Sequence, residues 1–132
     1  MNQLFSGDPI YKKRARIGAT LWTLLIFILC FIPAREVPDL DIPLADKWVH
    51  FILFGVFSFL WLLSIKEFRP HHLVIVLICS IVLGWLVEYI QGALTFLGRS
   101  QDNMDTLADG IGGLLGVVVF WLLSFRYRRD RG

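Results

Sequence analysis

Charge is scarce in this chain. Only 18% of its 132 residues are Asp, Glu, Lys or Arg, against about a quarter in an ordinary globular domain. With 56% of residues hydrophobic, too little polar surface remains for a conventional water-facing exterior. The composition is that of a membrane protein, and the length allows one domain. Cysteine is also sparse. Cys30 and Cys79 both lie in apolar runs, with neither metal-ligand spacing nor a disulfide context, which excludes a disulfide-stapled scaffold. Ser58, Ser64, Ser80 and Ser124 stand away from the other polar residues and Ser100 is in a loop, so no nucleophile setting is visible. The basic ends read as orientation signals that attract anionic lipid; no nucleic-acid site is expected.

What the chain does have is long apolar runs. About 20 apolar residues span a bilayer as a helix, and four stretches qualify: 17–33, 48–65, 73–97 and 107–125. The first resembles a secretory signal core, but it is long for one and "FIPAREV" is a poor cleavage site. The sequence therefore predicts an all-α membrane protein with four transmembrane helices. It divides into a basic N-terminal segment (1–16), a transmembrane domain (17–125) and a basic tail (126–132).

Lys and Arg counts in short loops predict orientation. Ten fall on one side (Lys12, Lys13, Arg14, Arg16, Lys66, Arg69, Arg126, Arg128, Arg129, Arg131) and three on the other (Arg35, Lys47, Arg99). Both termini are thus expected to be cytoplasmic. Most acidic residues run the opposite way, which the orientation rule does not explain.

The segment "GWLVEYIQGA" (84–93) places Glu88 and Gln91 one turn apart inside an apolar run. A charge at the centre of a membrane helix costs roughly 2.5–3.5 kcal/mol on insertion scales, so such residues face the bundle interior, a partner or a watery cavity. Helix two opens with "ADKWVHF", which puts Asp46, Lys47 and His50 on one face. Helix four opens with "DTLADGIGGLLG", where Asp105, Asp109, Gly112 and Gly116 share a stripe. Three spans thus deliver polar groups to one depth, the expected outer leaflet, as if lining a pocket. The glycines allow close helix approach. Each residue also has a plainer reading: Asp46 as a helix cap, Glu88 as a structural ion pair with Lys47 or Arg99, Gln91 as a helix-to-helix hydrogen bonder. Asp102 reads as solvated.

These residues resemble the signature of the VanZ-like family of small bacterial membrane proteins. "DKWVH", "EYIQ", Arg99 and "DTLADGIGG" match its Asp-Lys-x-x-His, Glu-x-x-Gln, Arg and Asp-x-x-x-Asn-x-x-Gly elements in order, from residue 46 to about 116. Asp109 stands where the family's Asn is usual. The resemblance implies a multi-pass protein of the bacterial cytoplasmic (inner) membrane and a link to reduced teicoplanin susceptibility.

The expected function is action on, or binding of, a cell-envelope component in an outward-facing pocket. His50, Glu88 and Asp109 are the candidate catalytic acids and bases. Asp46, Lys47, Gln91, Arg99 and Asp105 are the candidate binding residues, with a membrane lipid or cell-wall precursor headgroup as partner. No metal is assigned: His50, Glu88, Asp105 and Asp109 have ligand chemistry, but their spacing matches no standard zinc motif. No cofactor is identified either. The alternatives are a protein that holds a lipid headgroup or the antibiotic without turnover, and a small transporter subunit. The scarcity of polar residues in the inner half counts against the last.

Overall fold

The computed structural model describes residues 5, 7–36, 43–98 and 100–129. They form four long helices: α1 (Pro9–Phe31), α2 (Ala45–Ser64), α3 (His71–Ala93) and α4 (Asn103–Arg129). Short 3-10 turns follow α1 (Ala34–Glu36) and α3 (Thr95–Leu97), and there is no strand among the described residues. Each helix is long and apolar enough to cross a membrane.

The helix ends differ from the apolar runs for local reasons. Helix α1 begins at Pro9 rather than near residue 17, because Asp8 caps it by accepting from the Ile10 N–H at 2.8 Å and proline suits the first turn. The basic residues that follow are good helix formers. One of them, Lys12, is buried and donates its ammonium to the Leu63 carbonyl at 2.8 Å. It thereby satisfies an orphan carbonyl at the negative end of α2. Helix α3 stops at Ala93 instead of continuing to 97. The chain tightens into the 3-10 turn and reverses at Gly98, whose φ of 67° lies in the left-handed region open to glycine.

Helices α2 and α4 form the closest pair, with α1 packed on α2 and α3 on α4. The α2–α4 seam is made by glycine. A Cβ on Gly112 would strike the Phe51 carbonyl, and one on Gly116 would strike the carbonyl of Gly55. The two backbones are in direct contact, as small-residue stripes permit in membranes. Helix α1 is held by indole donors: Trp22 to the Leu53 carbonyl at 2.8 Å and Trp61 to the Thr23 hydroxyl at 3.1 Å.

The radial distribution is inverted relative to a soluble protein. Leu21, Ile28, Ile52, Ile78, Val82 and Leu114 are exposed, while His50, Ser58, Ser80, Glu88, Gln91 and Asp109 are buried. An apolar exterior around a polar interior suits a hydrocarbon solvent.

Candidate functional site

The polar residues collect at the end of the bundle where α2 and α4 begin and α3 ends. His50, on the second turn of α2, is 96% buried; Glu88 and Asp109 are fully enclosed. The His50 Nδ1 lies 3.0 Å from Asp109 Oδ1 and 3.9 Å from Glu88 Oε1. An imidazole flanked by two carboxylates has its ring orientation fixed, the arrangement that prepares a histidine for proton transfer or metal ligation. Gly84 makes the room for it: a Cβ there would sit 2.6 Å from Asp109 Oδ2.

One turn nearer the end of the bundle, Lys47 gathers the remaining acids. Its ammonium meets Asp102 at 2.7 Å, Asp46 at 2.8 Å and Asp105 at 3.1 Å. An ammonium has three N–H donors, and all three are engaged by carboxylates. The expectation that Lys47 binds substrate thus meets a lysine already occupied within the protein. Asp46 is not the α2 cap either. Leu44 holds that place, with φ 58° and no side-chain hydrogen bond, and Asp46 is a partly exposed partner of Lys47.

Asp102, which reads from sequence as solvated, is the junction of the site. Its Oδ1 accepts from the Met104 N–H at 2.8 Å, capping α4. Its Oδ2 meets Lys47, and its own N–H donates to Glu88 Oε2 at 2.9 Å. The Lys47 ammonium, aided by the Met104 amide, holds the Asp102 carboxyl below the usual carboxylate range. Spacing gave one available signal: an Asp just before a helical apolar run is a cap.

Gln91 serves another interface. Its amide donates to the Cys30 carbonyl at 2.6 Å, tying the end of α1 to α3. Arg99 lies outside the described residues, as do Asp39 and Asp41.

The family model described as VanZ/LLP1 matches residues 10–124. This chain belongs to the VanZ/LLP1 family. A protein of Schizosaccharomyces pombe, described as uncharacterized, is 32% identical over 113 residues, covering 82% of this chain and 65% of the relative. The chain therefore spans about two thirds of that relative's length. No solved structure matches.

In this VanZ/LLP1 chain the polar line also extends deeper than its acids. Ser58 of α2 and Ser80 of α3 are fully buried, and both hydroxyls face Gly113 of α4, where a Cβ would collide with Ser80 Oγ and lie 3.3 Å from Ser58 Oγ. Neither hydroxyl has a hydrogen-bond partner. The signal was in the helical spacing: Ser80, Gly84, Glu88 and Gln91 form one stripe, and His50 and Ser58 share another.

Beside the polar cluster lies an apolar groove of about 280 Å³ between α2 and α4, lined by Phe51, Gly55, Phe59, Leu115, Gly116 and Val119 among others. Lys47, Phe51, Gly55 and Phe59 recur every fourth residue, so the charged cradle stands at the head of the stripe that floors the groove.

Proposed function

We propose that this VanZ/LLP1 protein binds an amphiphilic component of the cell envelope, with its polar head at the acid-lined end of the bundle and its acyl chain along the α2–α4 groove. The observation that carries this reading is the α2 stripe on which Lys47 stands one turn from Phe51, the first residue lining the open apolar groove. A charged head above a hydrocarbon slot is the shape of a lipid.

Two further considerations support it. The ten-to-three asymmetry of Lys and Arg supports an orientation with both termini in the cytoplasm and the polar end at the outer face, where envelope precursors and glycopeptides act. The likeness to a fungal protein favours a bilayer lipid over a wall precursor, since the bilayer is what the two kinds of envelope share. On this reading the bacterial cytoplasmic membrane is the location, and any change in teicoplanin susceptibility follows from altered outer-leaflet chemistry. His50, oriented by Asp109, is the group suited to move a proton at the bound head.

The test is lipid and cell-wall-precursor analysis of membranes with and without the protein, joined to native mass spectrometry of the purified chain. We expect a retained phospholipid. We also expect that Val56→Trp, which fills the groove without touching the polar cluster, reduces retention at least tenfold. Absence of retained lipid above the detergent background, together with unchanged membrane lipids, would rule the reading out.

A further inference from the structure

We infer that His50, Glu88 and Asp105 form a binding site for a divalent transition-metal ion. One donor atom from each lies within 4.8 Å of the other two, and all three residues are buried. They come from α2, α3 and α4, so the bundle itself builds the site. Ligand atoms at about 2.0–2.2 Å from a zinc-sized ion stand roughly 3–4.4 Å apart. The 3.9 Å between His50 Nδ1 and Glu88 Oε1 already falls in that range.

Glu88 Oε1, an oxygen of a fully buried residue, faces His50 and has no hydrogen-bond partner. Asp109 Oδ2 is likewise without one. Leaving a carboxylate oxygen unpaired in a dry interior is costly, and a cation bound at Glu88 Oε1 removes that cost there.

The neighbouring trio makes the contrast. Asp46, Asp102 and Asp105 also have metal-like spacing, but the Lys47 ammonium already sits among them. Asp105 is common to both trios and meets Lys47 through Oδ1 alone, and a carboxylate has a second oxygen to offer the ion. With Lys47 spent there, Glu88 and Asp109 face only one histidine.

The donor set selects the ion. One imidazole with carboxylates suits zinc, manganese or iron, whereas calcium and magnesium prefer all-oxygen shells. The Asp102 N–H supports the site by fixing the other Glu88 oxygen at 2.9 Å. Asp109 lies 3.0 Å from the same His50 Nδ1 that faces Glu88, so the ion takes the place of a proton on that nitrogen. The sequence offered no standard zinc motif because the three ligands lie far apart along the chain and meet only through helix packing.

The inference rests on these side chains and stands whether or not a lipid head occupies the site. The test uses the full chain, purified in mild detergent and stripped with chelator, then dialysed against Zn²⁺, Mn²⁺ or Co²⁺. We expect one equivalent bound, and a visible Co²⁺ absorption band that needs no variant to be read. Glu88→Gln and Asp105→Asn should each weaken Zn²⁺ binding at least tenfold at unchanged helicity. Glu67→Gln, an acid at the opposite end of the bundle, should leave it unaltered. Wild-type protein that takes up no ion beyond the detergent blank, or binding that survives both ligand substitutions, overturns the site. Loss of lipid retention with one Zn²⁺ still bound would sink the lipid reading and leave the metal site standing.

Discussion

Gly112→Leu is expected to prevent α2 and α4 from docking, lowering the stability of the bundle by more than about 4 kcal/mol, a size reserved for changes the structure cannot absorb. Any Cβ at position 112 meets the Phe51 carbonyl, which is backbone. A flexible side chain could rotate away; a helix carbonyl cannot move without shifting α2. The lost seam is also the one that positions His50 against Asp109, so the site should fail with the fold. Gly18 supplies the control. A Cβ there would find nothing within 4 Å, and Gly18→Ala is expected to be neutral or to stabilise by up to about 1 kcal/mol through helix propensity. Thermal unfolding in detergent, followed by circular dichroism, checks both. Equal behaviour of the two variants would show that the seam is not where we place it.

His50→Leu should cost about 3–5 kcal/mol, because removing one member of a buried ionic cluster leaves the others uncompensated. Here the others are Glu88 and Asp109, both fully enclosed, each with one oxygen that has no partner even when the imidazole is present. Asp109→Asn should be mild, costing about 1 kcal/mol or less. An amide oxygen still accepts from the ring N–H, and the bulk beside Gly84 is unchanged. Asn is also the residue usual at this point in the family pattern that the sequence resembles. Lipid retention should follow the same order, lost in His50→Leu and kept in Asp109→Asn. The measurements are unfolding in mixed micelles and native mass spectrometry. A His50→Leu protein as stable as the parent would mean that the imidazole does not hold these carboxylates.

The four helices were legible in the sequence because a bilayer imposes one length and one composition on every crossing. The convergence of His50, Glu88, Asp105 and Asp109 was legible too: each sits near the same end of its apolar run, and depth can be counted along a helix. What could not be counted was direction around each helix. Gly112 and Gly116 lie on the stripe with Asp109, yet the glycines face α2 while the Asp109 carboxylate reaches both His50 of α2 and Gly84 of α3. Gln91 shares the stripe of Glu88 but bonds to α1. Asp102 was undervalued because its role comes from three partners met at a helix start: a backbone amide of α4, Lys47 of α2 and Glu88 of α3. Such a role is set by tertiary contact, and pattern alone assigns only the cap.

The convergence itself is most directly tested by zero-length cross-linking of the intact protein in membranes with a carbodiimide, which joins a lysine only to carboxylates in contact with it. With Lys47 Nζ 2.7 Å from Asp102 and 3.1 Å from Asp105, peptide mass spectrometry should recover amides between Lys47 and both of these residues, 55 and 58 positions away. An added small amine reports whether each carboxylate is reachable. If Asp102 and Asp105 take up the amine but Lys47 joins only its neighbour Asp46, α2 and α4 do not bring their polar ends together.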